Sequence, residues 1–152
     1  MSAVGMELAE GEADYLTELL EQYRELVVSA PHHDPAVARL SPDAYPDDAE
    51  ASAEFRRLTS DEVSERRFAD LDVVLDLLRS RPSTASPGTP VTLRLDPVGQ
   101  SAWLRALAGL RLVLATRIGI DDENPEAPGD PRYDVYEWLG YRQEMLLRSL
   151  EA

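Results

Sequence analysis

One short alternating segment, VTLRL (residues 91–95), constrains this chain more than any other feature. Val91, Leu93 and Leu95 fall on one face, with Thr92 and Arg94 on the other, which is the period of a strand. A lone strand leaves its backbone N–H and C=O groups unpaired, and burying them that way is costly. The simplest partner is residues 4–9, where Met6 and Leu8 alternate in the same manner. A two-stranded ribbon is marginal alone and must pack on helices.

The two strand segments open matching plans. VGMELAEGEADYLTELL (4–20) and VTLRLDPVGQSAWLRALA (91–108) each read as an alternating strand, a polar turn and an amphipathic helix. The first helix is expected over Glu10–Ser29, with Tyr15, Leu16, Leu19, Leu20, Tyr23, Leu26 and Val27 in its stripe. Asp34-Pro35 starts a short helix through Leu40. A helix is expected over Ala49–Leu58. A separate one is expected to begin at Thr59, where Thr59 and Glu62 have capping-box spacing, and to carry Val63, Phe68, Leu71, Val74, Leu75 and Leu78. Residues 81–90 read as a flexible linker. The helix over Pro97–Ile118 is apolar nearly all round at LAGLRLVLA, which marks a central helix or a partner surface, and Gly119 ends it. An acidic loop (120–132) leads to a last helix over Tyr133–Leu150, bearing Met145. The predicted fold is mainly α: a single-domain bundle of five to six helices with a two-stranded β ribbon formed by residues 4–9 and 91–95.

The charge limits the partners. With 29 acidic and 15 basic residues the net charge is −14. That disfavours a phosphate backbone and an anionic membrane, and favours a basic or mixed-charge protein. There is no cysteine, so thiol ligands, thiol nucleophiles and disulfides are excluded from this chain. Neither a signal-peptide pattern nor a membrane-length apolar run is present, which predicts a cytoplasmic protein.

Familiar chemistry is hard to find. His32 and His33 are adjacent, whereas a metal-binding pair on one helix face needs a separation of three or four. The acidic loop lacks the order of a calcium loop. No nucleophile elbow, phosphate loop or zinc-protease motif occurs. No cofactor or metal is expected. The stretch RLSPDAYPDDAEASAEFRRLTSDE (39–62) concentrates seven carboxylates. It reads as a structural clasp or partner-binding segment. Asp43 lies in the turn over 42–47, Asp47 and Asp48 lie at a helix start, Tyr45 and Phe55 anchor to the core, and Arg56 and Arg57 lie on the helix. Glu54, Arg57, Arg111 and Arg117 are candidates for half-buried ion pairs, and Trp138 joins Asp43, Tyr45, Asp48, Phe55, Arg56, Arg57, Arg111 and Arg117 as a candidate contact residue.

Three segments carry a resemblance in combination: DPAVARLSPDAYPDDAEASAEFRRLT (34–59), AWLRALAGLRLVLATRIGI (102–120) and YEWLGYRQEMLLRSL (136–150). Together they resemble an actinobacterial family designated a domain of unknown function and labelled AosR-like oxidative-stress transcriptional regulators. The resemblance implies a helical regulator acting with the transcription machinery, such as a sigma factor or RNA polymerase. Lacking cysteine, this chain cannot sense oxidation through a disulfide, and methionine oxidation at Met1, Met6 or Met145 is a poor dedicated sensor. The function expected is a non-enzymatic regulator or adaptor that binds a protein, with a homodimer left open. A direct DNA-binding regulator, using Arg56, Arg57, Arg66 and Arg67, and a small metal- or ligand-binding enzyme are the alternatives.

Overall fold

A computed structural model describes residues 3–29, 34–40, 44–81 and 88–151. In chain order the elements are β1 (Val4–Leu8), α1 (Glu10–Ser29), α2 (Pro35–Leu40), α3 (Ala49–Arg79), β2 (Val91–Leu95), α4 (Pro97–Ile118) and α5 (Pro131–Glu151). His32, His33, Asp43 and residues 82–87 of the expected linker lie outside the described residues.

The expected ribbon forms. β1 and β2 pair antiparallel, with Val4 opposite Leu95, Met6 opposite Leu93 and Leu8 opposite Val91. This register puts Met6, Leu8, Val91, Leu93 and Leu95 on one buried face. Gly5, Glu7, Thr92 and Arg94 occupy the other face. The apolar face meets α4 and α5, which supply the cover a two-stranded sheet needs.

α4 is the central helix. It packs on α1, α2, α3, α5 and β2, which explains its lack of a polar face. Trp103 and Leu107 are fully buried, with Ala102, Ala106, Leu110 and Val113 beside them. Asp96 starts the helix by accepting the Gly99 N–H at 2.7 Å, and Pro97 fills the first helical position, where no N–H is needed. Gly119 ends it in the left-handed region at φ 81°, and the Ile120 N–H reaches back to the Ala115 carbonyl at 2.8 Å.

Two expectations of the helices fail, and one boundary moves. The helices expected over 49–58 and from Thr59 are one helix, α3, of 31 residues. No glycine or proline interrupts residues 49–79, and the Thr59 hydroxyl donates to the Phe55 carbonyl at 2.9 Å instead of capping a new start. That back-bond is compatible with a continuous helix. Tyr15, Val63 and Met145, placed in apolar stripes, are exposed; the buried line of α1 runs through Ala13, Leu16, Leu20 and Tyr23. α5 begins at Pro131 rather than Tyr133, because Asp130 accepts the Arg132 N–H at 2.9 Å and proline fits a first turn.

Candidate partner interface

α3 outlasts the core it packs on. Thirty-one residues make a helix about 46 Å long at 1.5 Å per residue. Its second half buries Asp70, Leu71, Val74, Leu75 and Leu78. Among the described side chains from Ala49 to Ala69, only Ser52 is buried.

The start of this arm is fastened locally. The Asp48 carboxylate accepts the Ala51 N–H at 3.0 Å, so Asp48 is the helix cap. Ser52 ties the preceding turn to the helix in both directions. Its hydroxyl accepts the Tyr45 N–H at 3.0 Å and donates to the Tyr45 carbonyl at 2.8 Å. The turn therefore holds Tyr45 over the first helical turns, where its ring meets Phe55 edge-on, centroids 6.2 Å apart. The two rings do not anchor to the core as the sequence suggested. Tyr45 is 50% exposed, Phe55 45% and Leu58, one turn further on, 72%. The clasp closes on itself and presents aromatic and aliphatic surface to solvent.

The arm is acidic around this apolar patch. Residues 44–65 hold seven carboxylates and two guanidiniums, Arg56 and Arg57, a net charge of −5. Arg57 pairs with Glu54 one turn before it, and both are well exposed, so this is not a half-buried ion pair. The four arginines of the DNA-binding alternative do not form one face. Arg57 and Arg66, nine residues apart, fall on opposite sides of α3, Arg57 is taken by Glu54, and Arg67 donates to the Leu40 carbonyl of α2 at 2.9 Å.

The other sequence candidates lie away from the arm and tie helices together. The Arg111 guanidinium sits 4.1 Å from the centre of the Tyr136 ring and donates to the Tyr136 carbonyl, so its partner is an aromatic face and not a carboxylate. Gly140 makes this approach possible: a Cβ there would lie 2.9 Å from the guanidinium. Arg117 pairs with Asp34 at 3.0 Å, joining the end of α4 to the start of α2. The Arg117 hydrogen bond holds the Asp34 carboxyl below its ordinary range, against a smaller opposing effect of burial.

Trp138 donates its indole N–H to Glu12 at 2.9 Å. Glu12 also accepts the Ala9 N–H at 2.9 Å and the Arg142 guanidinium at 2.8 Å, joining the turn after β1 to α5. Burial pushes the Glu12 carboxyl up, but the Ala9 N–H, Arg142 and Trp138 together outweigh it and hold the carboxyl below its usual range. Glu12 was not identified from the sequence. Its signal was a glutamate three residues after Ala9, half of a capping box without the hydroxyl half. Ser52 and Leu58 were missed as well, since neither position shows that the helix leaves the core.

Among the described residues, no three His, Asp or Glu side chains gather in a metal-binding arrangement. No described helix is long and apolar enough to cross a membrane.

Residues 2–150 match a family model described as "Domain of unknown function (DUF2017)". The chain is 31% identical over 137 residues to a Mycobacterium leprae (strain TN) protein named provisionally as the oxidative stress regulator AosR; the match covers 78% of this chain and 59% of that protein. It is 29% identical over 135 residues to the oxidative stress regulator AosR of Mycobacterium tuberculosis (strain ATCC 25618 / H37Rv), covering 77% and 58%. The same figures hold for the protein of that name in Mycobacterium bovis (strain ATCC BAA-935 / AF2122/97). The chain thus spans less than two thirds of the length of these relatives. No solved structure matches it significantly.

Proposed function

The chain belongs to the family described as Domain of unknown function (DUF2017), and from that premise we propose that it is a non-enzymatic regulator of the oxidative stress response. It works as an adaptor that binds a protein of the transcription machinery, a sigma factor or an RNA polymerase subunit. The names of the mycobacterial relatives support the regulatory part.

The observation that carries the binding part is the arm of α3, where Phe55 and Leu58 stand exposed on a helix that has left its core, with Tyr45 of the preceding turn exposed beside them. Contiguous exposed apolar surface rimmed by polar groups marks interaction sites. Aromatic anchors dominate such interfaces, and an amphipathic helix laid in a groove is a common mode. The net charge of −5 over residues 44–65 favours a partner whose groove is basic at its rim and disfavours bare nucleic acid. Asp48 and Ser52 hold the arm's start in shape, while Arg56 and Arg57 lie within reach of a partner. Arg111, Arg117 and Trp138 keep the helices that carry the arm in register. Because the chain lacks cysteine, the oxidation signal reaches it through the partner or through the partner's abundance.

The test is site-specific photo-crosslinking in the native host, with the reactive group at position 58 and, as control, at position 72 on the other half of α3. The expected result is a crosslink from position 58 to a sigma factor or RNA polymerase subunit, abolished by Phe55→Ser and absent from position 72. Crosslinks to no transcription component, or equal yields from both positions, would overturn the proposal.

A further inference from the structure

Beside the buried half of α3 lies a cleft of about 340 Å³, walled by α1, α2, α3 and α4. Its volume is at the lower end of ligand sites. Its charge is opposite to that of the molecule. Among the described residues Arg66, Arg67 and Arg105 line it with a single acid, Asp70, so these side chains sum to +2 in a chain of −14. The rest of the wall is largely apolar, with Leu71 and Leu112 among its residues.

The polar groups of the cleft fall into two sets. Asp70, nearly buried, is gripped by Arg105 through two parallel hydrogen bonds of 2.8 Å each, which occupy both carboxylate oxygens. That fork neutralises the Asp70 charge, which would otherwise repel an anion. The second set has no such partner. Among the described residues neither Arg66 nor Arg67 has a carboxylate within ion-pair distance, although the chain carries 29 of them. Arg67 is held in place by the Leu40 carbonyl, and the Tyr23 hydroxyl lies beside its guanidinium. The Tyr23 ring reaches the cleft because position 109 is glycine: a Cβ there would lie 2.2 Å from the hydroxyl oxygen. Burial, the leading influence, pushes the Tyr23 phenol up, and Asp70 adds to it against the opposing Arg67, so the hydroxyl keeps its proton and can donate it.

We infer that this cleft binds a small organic anion, a carboxylate or phosphate head on a compact apolar body. Arg66 and Arg67 face the head, Tyr23 donates its hydroxyl proton, and the apolar wall takes the body. Planar guanidinium forks suit both kinds of head. A free cation is excluded by the +2 lining, and a polynucleotide by the size of the cleft and the charge of the surface around it. Binding here needs no protein partner, so the inference stands or falls separately from the docking role of the α3 arm.

The experiment is calorimetric titration of the full chain at near-physiological salt with phenyl phosphate, benzoate, inorganic phosphate and, as uncharged control, benzyl alcohol. Thermal melts and amide chemical shifts are recorded alongside. Saturable one-site binding of phenyl phosphate or benzoate is expected, with a raised Tm and a shifted Gly109 amide. Inorganic phosphate should bind more weakly and benzyl alcohol not measurably. Arg66→Gln, at an exposed position, should leave the unliganded Tm unchanged and weaken binding about ten- to hundredfold, the loss of one charge-assisted contact. Arg66→Gln/Arg67→Gln should abolish it, and if that variant fails to fold, the Arg66→Gln result decides. No saturable binding of either organic anion, undiminished binding to Arg66→Gln, or binding of benzyl alcohol as tight as that of the anions would overturn the inference. Inorganic phosphate binding as tightly as phenyl phosphate would overturn the role of the apolar wall.

Discussion

Gly109→Ala tests how closely α1 and α4 are packed. An added Cβ would lie 2.2 Å from the Tyr23 hydroxyl oxygen, 3.0 Å from Cζ and 3.4 Å from Cε2. Comfortable contacts between such atoms are about 3.5 Å, so the ring has to retreat by more than about 1 Å. It has little room, being 3% exposed with its hydroxyl beside the Arg67 guanidinium. Overpacking of this kind costs about 1–3 kcal/mol, and so deep an overlap belongs at the upper end. Alanine in a helix interior gives back about 1 kcal/mol relative to glycine. The expected net loss is about 2 kcal/mol, or about 4–8 °C in Tm for a domain of this size. Tyr23→Phe removes the 2.2 Å contact and keeps the others. In that background Gly109→Ala should cost close to nothing, giving a coupling of about 2 kcal/mol in a double-mutant cycle. Urea unfolding monitored at equal m-values reads all four corners. If Gly109→Ala stabilises by the helix-propensity gain, or costs the same with and without the hydroxyl, the close packing described for this crossing is refuted.

Phe55→Ala and Leu58→Ala should each cost no more than about 1.5 kcal/mol, since Phe55 loses chiefly its ring contact with Tyr45. Leu71→Ala, at a fully buried position, should cost about 2–5 kcal/mol, and urea titrations that reverse this order would place the arm in the core. The Glu12 carboxyl is held low in the folded chain, so its contribution to stability is present above pH 4.5 and is lost as pH falls through the folded value. The stability gap between the parent and Glu12→Gln should therefore be constant from about pH 6 to 7 and close below about pH 4.5; a gap that widens on acidification contradicts this. Deleting residues 1–9 removes Met6 and Leu8 from the core and leaves β2 unpaired. The truncated chain should melt well below the parent, and an unchanged Tm would show that the ribbon is dispensable.

Features set by local pattern could be read from the sequence. VTLRL alternates over five residues and needed a partner, and the pairing of Met6 with Leu93 and Leu8 with Val91 meets that need. Asp96-Pro97 and Gly119 bracket α4 because caps use short-range chemistry. What could not be read depends on distance. Thr59 and Glu62 have capping-box spacing, but the same letters fit the middle of a helix, and only the absence of a breaker between Leu58 and Ser60 separates the two. Phe55 looks like a core residue, because nothing local records that α3 has passed the end of its neighbours. Arg111 looks like half of an ion pair, since its partner, the Tyr136 face, lies 25 positions away across a helix junction. The Arg-lined cleft draws on Tyr23, Arg66, Arg67 and Arg105 from three helices, and no window of sequence contains them together.

The arm of α3 is proposed to dock a protein of the transcription machinery. The most direct measurement is the affinity of the purified chain, parent and Leu58→Arg, for RNA polymerase purified with its sigma factors from the same host, read by surface-immobilised binding. Leu58 is 72% exposed, so Leu58→Arg should leave the Tm of the free chain within about 2 °C. A charge placed at the centre of an interface costs at least about 2 kcal/mol, so binding should weaken about thirtyfold or more. Parent and Leu58→Arg binding the polymerase alike, or the parent not binding it at all, would contradict the account.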